Sequence, residues 1–436
     1  MLFNILFRKN KYTMNIWNVV SIGIGSMVGA GIFALLGQAI LLVGKNAFIS
    51  FILAGIISLL SGYSYAKLAS RYPSSSGILE YYNKGFSSKV ISGGFSLLYL
   101  FTLAISISMV AKTFGLYLAV MISNNYQLSI PDSYLSDIFS TIIIITIFLL
   151  NTNIAKEVGK AETTLVGIKV IILSILVIAG LSTIDIDIII NKPSSSSFSI
   201  IGSVGLTFFA YAGFGMMTNA SGEVKNPKKT IPRAIFIAIL FVMFLYTTLC
   251  LVVLGNIPLE EIKKHADTAI AIAARPVLGN AGFFIISVVA LLATASGINA
   301  MMFSGIRIAK GMAEKKQLPS IFLKKTKFIG NGTIGMTYSI IGIIIITNIF
   351  NLQSIANMAS IIFLLCYLAV FIANWKLRKE TQSLKLLIVI GIVSMSAILL
   401  SFIYTIIQTT PMTSILLLIF LVFSFLLEYF LIKYVT

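Results

Sequence analysis

Apolar residues in this chain come in runs of about twenty, separated by short polar stretches rich in lysine. Coiled as a helix, such a run spans about 30 Å, the hydrocarbon thickness of a bilayer. The pattern predicts twelve helices, over residues 15–42, 47–66, 89–122, 136–151, 161–183, 200–220, 234–255, 280–304, 334–350, 354–375, 384–407 and 412–432. The expected fold class is therefore an all-α polytopic membrane protein. Two of the runs are not uniform. Residues 20–36, VSIGIGSMVGAGIFALL, place Gly23, Gly25, Gly29 and Gly31 within nine positions, with Ser26 between them. Residues 203–223, SVGLTFFAYAGFGMMTNASGE, carry Gly213, Gly215 and Gly222. Each interior glycine costs a helix about 0.5–1 kcal/mol relative to alanine, so both runs are predicted to be broken helices. Unpaired backbone at mid-membrane depth is tolerated only where it is buried in protein or lines a polar cavity. Two interrupted spans in corresponding halves point to a transporter with an internal repeat. The competing account of the first set is tight helix packing of the small-xxx-small type, Gly25 with Gly29 for example.

Composition narrows the class. Of 436 residues 58% are hydrophobic and only 11% charged, with a mean hydropathy of +1.00, which excludes a soluble domain of this length. No cleavable signal is expected in residues 1–13, where Arg8, Lys9 and Lys11 follow only a few apolar residues, so the first span reads as its own insertion signal. Cys250 and Cys366 both fall in apolar runs and read as inert buried thiols. The sole histidine, His265, lies in a charged loop, which argues against a histidine-based metal or catalytic cluster. GIGSMVG lacks the strand, lysine and hydroxyl context of a phosphate loop, and no catalytic triad or metal spacing occurs. An enzyme is not expected, nor a cofactor.

The formal charge of +18 would suit nucleic acid, but its distribution follows topology. One set of loops collects Arg8, Lys9 and Lys11, then Lys67, Arg71, Lys84 and Lys89, then Lys156 and Lys160, then Lys225, Lys228, Lys229 and Arg233. The same side takes the lysine-rich stretch from Arg307 to Lys327, the cluster from Lys376 to Lys385, and Lys433. The other side holds only Lys45, Lys192, Lys263, Lys264 and Arg275. By the positive-inside rule both termini are cytoplasmic, which requires an even number of spans and agrees with twelve. The partners expected are a small substrate and the lipid bilayer, with no nucleic acid.

Two cations remain inside predicted spans, Lys112 in the third and Lys169 in the fifth. Lys169 enters about six to nine residues from the cytoplasmic side, roughly 10–13 Å deep, too far for easy snorkelling. It should face the bundle interior, where a lysine can exchange a proton as its surroundings alternate between wet and dry. For Lys112 the alternative is a side chain that reaches a water-filled vestibule. The loop 191–197, with four consecutive serines, reads as an extracellular linker, and residues 256–279 as an outer loop of short interfacial helices capping a vestibule.

A small substrate at the midplane would meet the backbone groups that the breaks set free, whichever of its own groups are charged. Free N–H groups and the positive end of the half-helix after the first break suit a carboxylate, which assigns Ser26, Met27, Gly29, Ala30 and Gly31 to it. Carbonyls at Ile24, Phe208 and Tyr211 would take an ammonium. Neither break contains an acidic side chain, which favours neutral substrates. The aromatics Phe208, Phe209, Tyr211 and Phe214 close over the substrate or simply pack.

Three segments carry a family resemblance. GIGSMVGAGIF, residues 23–33, resembles the first-helix motif of the amino acid/polyamine/organocation (APC) superfamily of secondary transporters. FFAYAGFGMMTNASGEVKNPKKTIPRAI, residues 208–235, resembles its sixth helix and following loop, and SGIRIAKGMAEKKQLP, residues 304–319, the end of its eighth. GFGMMTNAS with EVKNPKK, and the pattern of residues 159–180 around Lys169, are similar to the proton-coupled, ApcT-like amino-acid transporters. The resemblance implies a single transporter domain over 1–436 of LeuT type, with residues 15–183 and 200–375 as inverted repeats and 384–432 outside them. It implies a plasma-membrane, proton-coupled symporter of neutral amino acids with broad specificity. An exchanger on the same fold is the alternative, with a non-transporting sensor or channel behind it. It further implies that Lys169 stands where sodium-coupled relatives hold an ion, its ammonium near Gly25 and Ser296, and that Phe209 stands at the sixth-helix gate beside Phe214. Two positions depart from the family pattern: Gly215 and Lys316 stand where many members carry acidic residues.

Overall fold

Polar caps mark where the apolar runs become helices. In the computed structural model, which describes residues 14–74, 76–124, 130–153, 158–325 and 333–434, Asn15 and Asn18 exchange side-chain bonds to each other's backbone N–H at the start of the first helix. Ser88, Ser196, Thr333 and Asn351 each accept from an N–H of the first turn of the helix that follows. Arg8, Lys9, Lys11, Lys156 and Lys327 lie outside the described residues.

The helices are α1 (Ile16–Ala30), α2 (Ile32–Val43), α3 (Ala47–Arg71), α4 (Ile78–Gly85), α5 (Lys89–Ser123), α6 (Asp132–Asn153), α7 (Val158–Ser182), α8 (Ile186–Ile190) and α9 (Ser197–Tyr211). They continue as α10 (Pro227–Asn256), α11 (Leu259–Lys264), α12 (Ala269–Glu314), α13 (Ile334–Ile349), α14 (Leu352–Lys376), α15 (Arg378–Thr381), α16 (Lys385–Thr409) and α17 (Pro411–Tyr434). Among the described residues nine helices are long and apolar enough to cross a membrane, and a tenth span results if α1 and α2 count as one bent pair. Ile334–Ile349 and Leu417–Phe430 are shorter apolar helices. Apolar side chains such as Ile142 and Ile145 on α6, Ile171, Ile175 and Ile178 on α7 and Leu418 and Val422 on α17 face outward, as lipid contact requires.

Both glycine-rich runs are interrupted, though not where the glycine spacing first suggests. The first helix stays regular through Gly23, Gly25 and Gly29 and turns only at Gly31, where α1 and α2 meet at 51°. The upstream glycines serve close packing: a Cβ at Gly25 would lie 2.6 Å from Val166 Cγ2, and one at Gly29 2.7 Å from the Ala293 carbonyl oxygen. At Gly31 it would lie 2.3 Å from Ala210 Cα, so the bend sits directly on the end of α9. Spacing alone does not separate a break from a close crossing, because both demand the same missing side chain. The second run leaves α-helical geometry after Tyr211 and continues as a 3-10 helix, Ala212–Glu223. Its twelve residues far exceed the usual three or four of that conformation.

The two interrupted elements lie antiparallel and are tied at both ends. Met14 forms a parallel bridge with Val224, and its N–H donates to the Glu223 carbonyl at 3.3 Å. At the far end Gly44, at φ 58°, pairs with Ser194, and the Lys45 N–H donates to the Pro193 carbonyl at 3.2 Å. The serine linker is thus a structural strap. Lys192 within it is buried and donates from Nζ to the carbonyls of Ile188, Leu254 and Ile257 at 3.2, 2.6 and 2.9 Å. Burial pushes its ammonium down from 10.5 to about 8.

Residues 256–279 form α11, a 3-10 turn at Ala266–Thr268 and the start of α12, which begins at Ala269 and bends at Gly279, φ 71°. The predicted helix over 280–304 is therefore the second limb of a longer, bent one. Pro276 sits near the bend and Gly279 supplies the positive φ it needs.

Candidate functional site

The interruptions converge on a small central chamber of about 10 Å³. Ser26 and Gly213 line it from the two glycine-rich elements, Phe209 from α9, Tyr99 from α5, Gly297 and Met301 from α12 and Phe363 from α14. Beside it a vestibule of about 540 Å³ opens toward the lysine-rich face, sharing Ser26, Met216 and Ala300 as its wall and reaching Arg307 and Lys310 at its mouth. The opposite face is closed. Gln38 Nε2 donates to Asp267 Oδ1 at 2.7 Å, Phe33 meets Tyr117 edge to face at 5.8 Å, and Gly37 lies so close to Ala266 that a Cβ would fall 2.0 Å from its carbonyl oxygen. Of residues 256–279, expected to cap a vestibule, Ala266 and Asp267 pack against Gly37 and Gln38 on this closed face, and none lines the vestibule.

The predicted site residues divide by position. Ser26 reaches the chamber, its Oγ 3.5 Å from Met216 Sδ. Ile24, Met27 and Gly29 sit within α1, upstream of the bend, so the N–H groups left at a helix start belong to α2, which follows Gly31 with no side-chain cap. Ala30 is the last residue of α1. Gly213 packs against the first element at atomic contact: a Cβ there would lie 2.6 Å from the Met27 backbone nitrogen and 2.7 Å from Ser26 C and Cβ.

Of the four aromatics, Phe209 lines the chamber, edge to face with Phe363 at 5.1 Å. Phe208 and Phe214 pack behind it against Tyr367, at 5.5 and 5.3 Å. Tyr211 is buried further out, its hydroxyl donating to the Phe51 carbonyl at 2.8 Å. The Tyr367 hydroxyl donates to the Ala212 carbonyl, the first residue past α9, so a side chain caps backbone freed by the second interruption.

Lys169 on α7 is buried at 1% exposure, and its Nζ donates to Ser296 Oγ on α12 at 3.2 Å. Gly25 faces α7 one turn away, against Val166. Lys112 on α5 pairs with Asp137 on α6 and donates to the Thr347 carbonyl at 3.3 Å. The chain alone gives no sign of this pairing, because Asp137 sits at the edge of a predicted span, 25 positions from Lys112. Tyr99, Met301 and Phe363 were also missed, since an aromatic or methionine in an apolar helix carries no mark of facing a chamber. The one available signal was Gly297, which crosses Gly29 so closely that a Cβ on it would lie 2.8 Å from the Gly29 carbonyl oxygen. Among the described residues no group of three or more His, Cys, Asp or Glu could hold a metal ion.

A family model described as amino acid permease matches residues 14–432, nearly the whole chain and both interrupted elements. The chain belongs to the amino acid permease family, within the APC superfamily. Its role is amino-acid transport across a membrane. The permease is 42% identical to the inner membrane transport protein YbaT of Escherichia coli (strain K12), over 90% of each chain. It is 26% identical to the serine/threonine exchanger SteT of Bacillus subtilis (strain 168), over 83% of this chain and 82% of that one. To the branched-chain amino acid permease BcaP of the same organism it is 24% identical, over 86% and 82%.

Proposed function

We propose that this permease is a proton-coupled symporter of neutral amino acids in the plasma membrane. In this reading it has twelve spans, with residues 15–183 and 200–375 as inverted repeats, 384–432 outside them and both termini cytoplasmic. The observation that carries it is the buried Lys169 ammonium, held by Ser296 on α12 while its own helix packs on α1 beside Gly25. The substrate carboxylate meets the N–H groups at the start of α2, just past Gly31 and beside Ser26, and its ammonium the carbonyls at the second interruption. Phe209 closes the route, backed by the packing of Phe214 on Tyr367. No acidic or basic side chain lines the central chamber, which supports neutral substrates. The names of SteT and BcaP point the same way, since serine, threonine and the branched-chain amino acids carry uncharged side chains. Protonated Lys169 stabilises the arrangement of α1 that binds substrate, so an inward proton gradient biases uptake.

The test is uptake of labelled amino acids into proteoliposomes, with and without an inward proton gradient, for wild type and Lys169→Met. Gradient-driven accumulation in wild type, lost in the variant, is the expected result. The second reading, exchange, is favoured by the name of SteT. Uptake that needs internal substrate and ignores the gradient would establish exchange and leave Lys169 as a fixed structural cation.

A further inference from the structure

On the lysine-rich face, in a cleft that shares Lys315 and Gln317 with the vestibule, Glu428 of α17 is buried at 1% exposure. Among the described residues its Oε2 has no hydrogen-bond partner. A buried ionisable group left unsatisfied is costly, so its persistence points to something that completes it. It lines a cleft of about 400 Å³ whose rim carries the exposed lysines Lys84, Lys89, Lys315 and Lys316. Lys89 opens α5, the end of a helix where a cation is electrostatically disfavoured. Four cations and two carboxylates, the half-buried Glu80 and the buried Glu428, line the cleft, a set that suits a ligand with an anionic group and an ammonium.

Directly beside this cleft runs an apolar groove of about 670 Å³ between α5, α12, α13 and α17. The two adjoin: Gln317 lines the cleft and the next residue, Leu318, the groove, and Glu428 lines the cleft and its neighbour Leu427 the groove. The outer side of α17 is apolar and exposed at Leu418, Val422 and Leu426, as a helix facing lipid should be. We infer that cleft and groove together bind one aminophospholipid of the phosphatidylethanolamine type. The lysines hold its phosphate, Glu428 accepts from its primary ammonium, and an acyl chain lies in the groove. A choline headgroup has no N–H to donate, and a glycerol headgroup has no cation.

Native mass spectrometry of the full chain, released from vesicles of equal phosphatidylethanolamine, phosphatidylcholine and phosphatidylglycerol, reads the site without any transport assay. Wild type should retain phosphatidylethanolamine about tenfold over phosphatidylcholine, the worth of one charge-assisted hydrogen bond. Glu428→Gln, a change of nearly equal shape, should erase that preference while lipid still binds. Lys84→Ala with Lys89→Ala, both exposed, should lower retention of all three lipids with thermal stability unchanged. Equal retention by wild type, or a preference that survives Glu428→Gln, would overturn the assignment. Soluble phosphoethanolamine at millimolar concentration should fail to displace the lipid; displacement would mean that the cleft takes free aminophosphates and the groove contributes nothing.

Discussion

Adding one methyl at Gly213 tests whether the two interrupted elements must touch. A Cβ there would stand 2.6 Å from the Met27 nitrogen and 2.7 Å from Ser26 C and Cβ. Carbon contacts are comfortable at about 3.5–4.0 Å, so the elements would have to part by roughly 1 Å. Two of the three nearest atoms are backbone, and no rotamer change can relieve them. Overpacking of this kind costs about 1–3 kcal/mol, and it falls on the contact that shapes the chamber beside Ser26. Gly213→Ala should lower the melting temperature and weaken substrate affinity by roughly tenfold or more, about 1.4 kcal/mol per decade. Gly342→Ala is the control, because a Cβ at Gly342, within α13, meets nothing within 4 Å. It should leave binding unchanged and add about 0.5–1 kcal/mol of helix stability. Substrate-binding isotherms and thermal melts of both variants in detergent give the comparison. A Gly213→Ala protein with wild-type affinity and melting temperature would refute the claim that the chamber depends on this contact.

Two further outcomes follow from the lysine-poor side. Gln38→Ala removes the donor to Asp267 and should cost the closed face about 1.5 kcal/mol, roughly a tenfold population shift, read as faster thiol labelling of a cysteine placed near Tyr117 from the lysine-poor face; an unchanged labelling rate would show that Gln38 does not hold this face shut. For Lys192 the folded value near 8 lies below the ordinary 10.5, so between these the unfolded chain binds more protons and stability rises with pH. Lys192→Met should flatten that rise in melts taken from pH 7 to 10.5, and parallel curves for the two proteins would contradict it.

The broad architecture was legible because long apolar runs and the lysine asymmetry report directly on the bilayer. Lys169 stood out for the same reason: a charge in such a run is conspicuous, and Ser296, its neighbour in the structure, entered through family resemblance. The position of the first interruption was not legible, since Gly23, Gly25 and Gly29 are required by the crossings of α1 with its neighbours and only Gly31 coincides with the bend. The walls contributed by Tyr99 and Phe363 depend on how α5 and α14 rotate about their axes, which an apolar sequence leaves undetermined. Lys192 looked like a loop cation because its acceptors, the carbonyls of Leu254 and Ile257, lie more than sixty positions away.

The bridges at Met14–Val224 and Gly44–Ser194 close the two broken helices into a ring of backbone: out along one, across, back along the other, and across again. A frame fastened at both corners resists shear between its sides. Sliding one helix past the other would break these backbone hydrogen bonds, each worth about 1 kcal/mol, so the ties favour the two tilting together. Mechanically the permease has one lever where its sequence shows two hinges, and a push delivered at either hinge arrives at both.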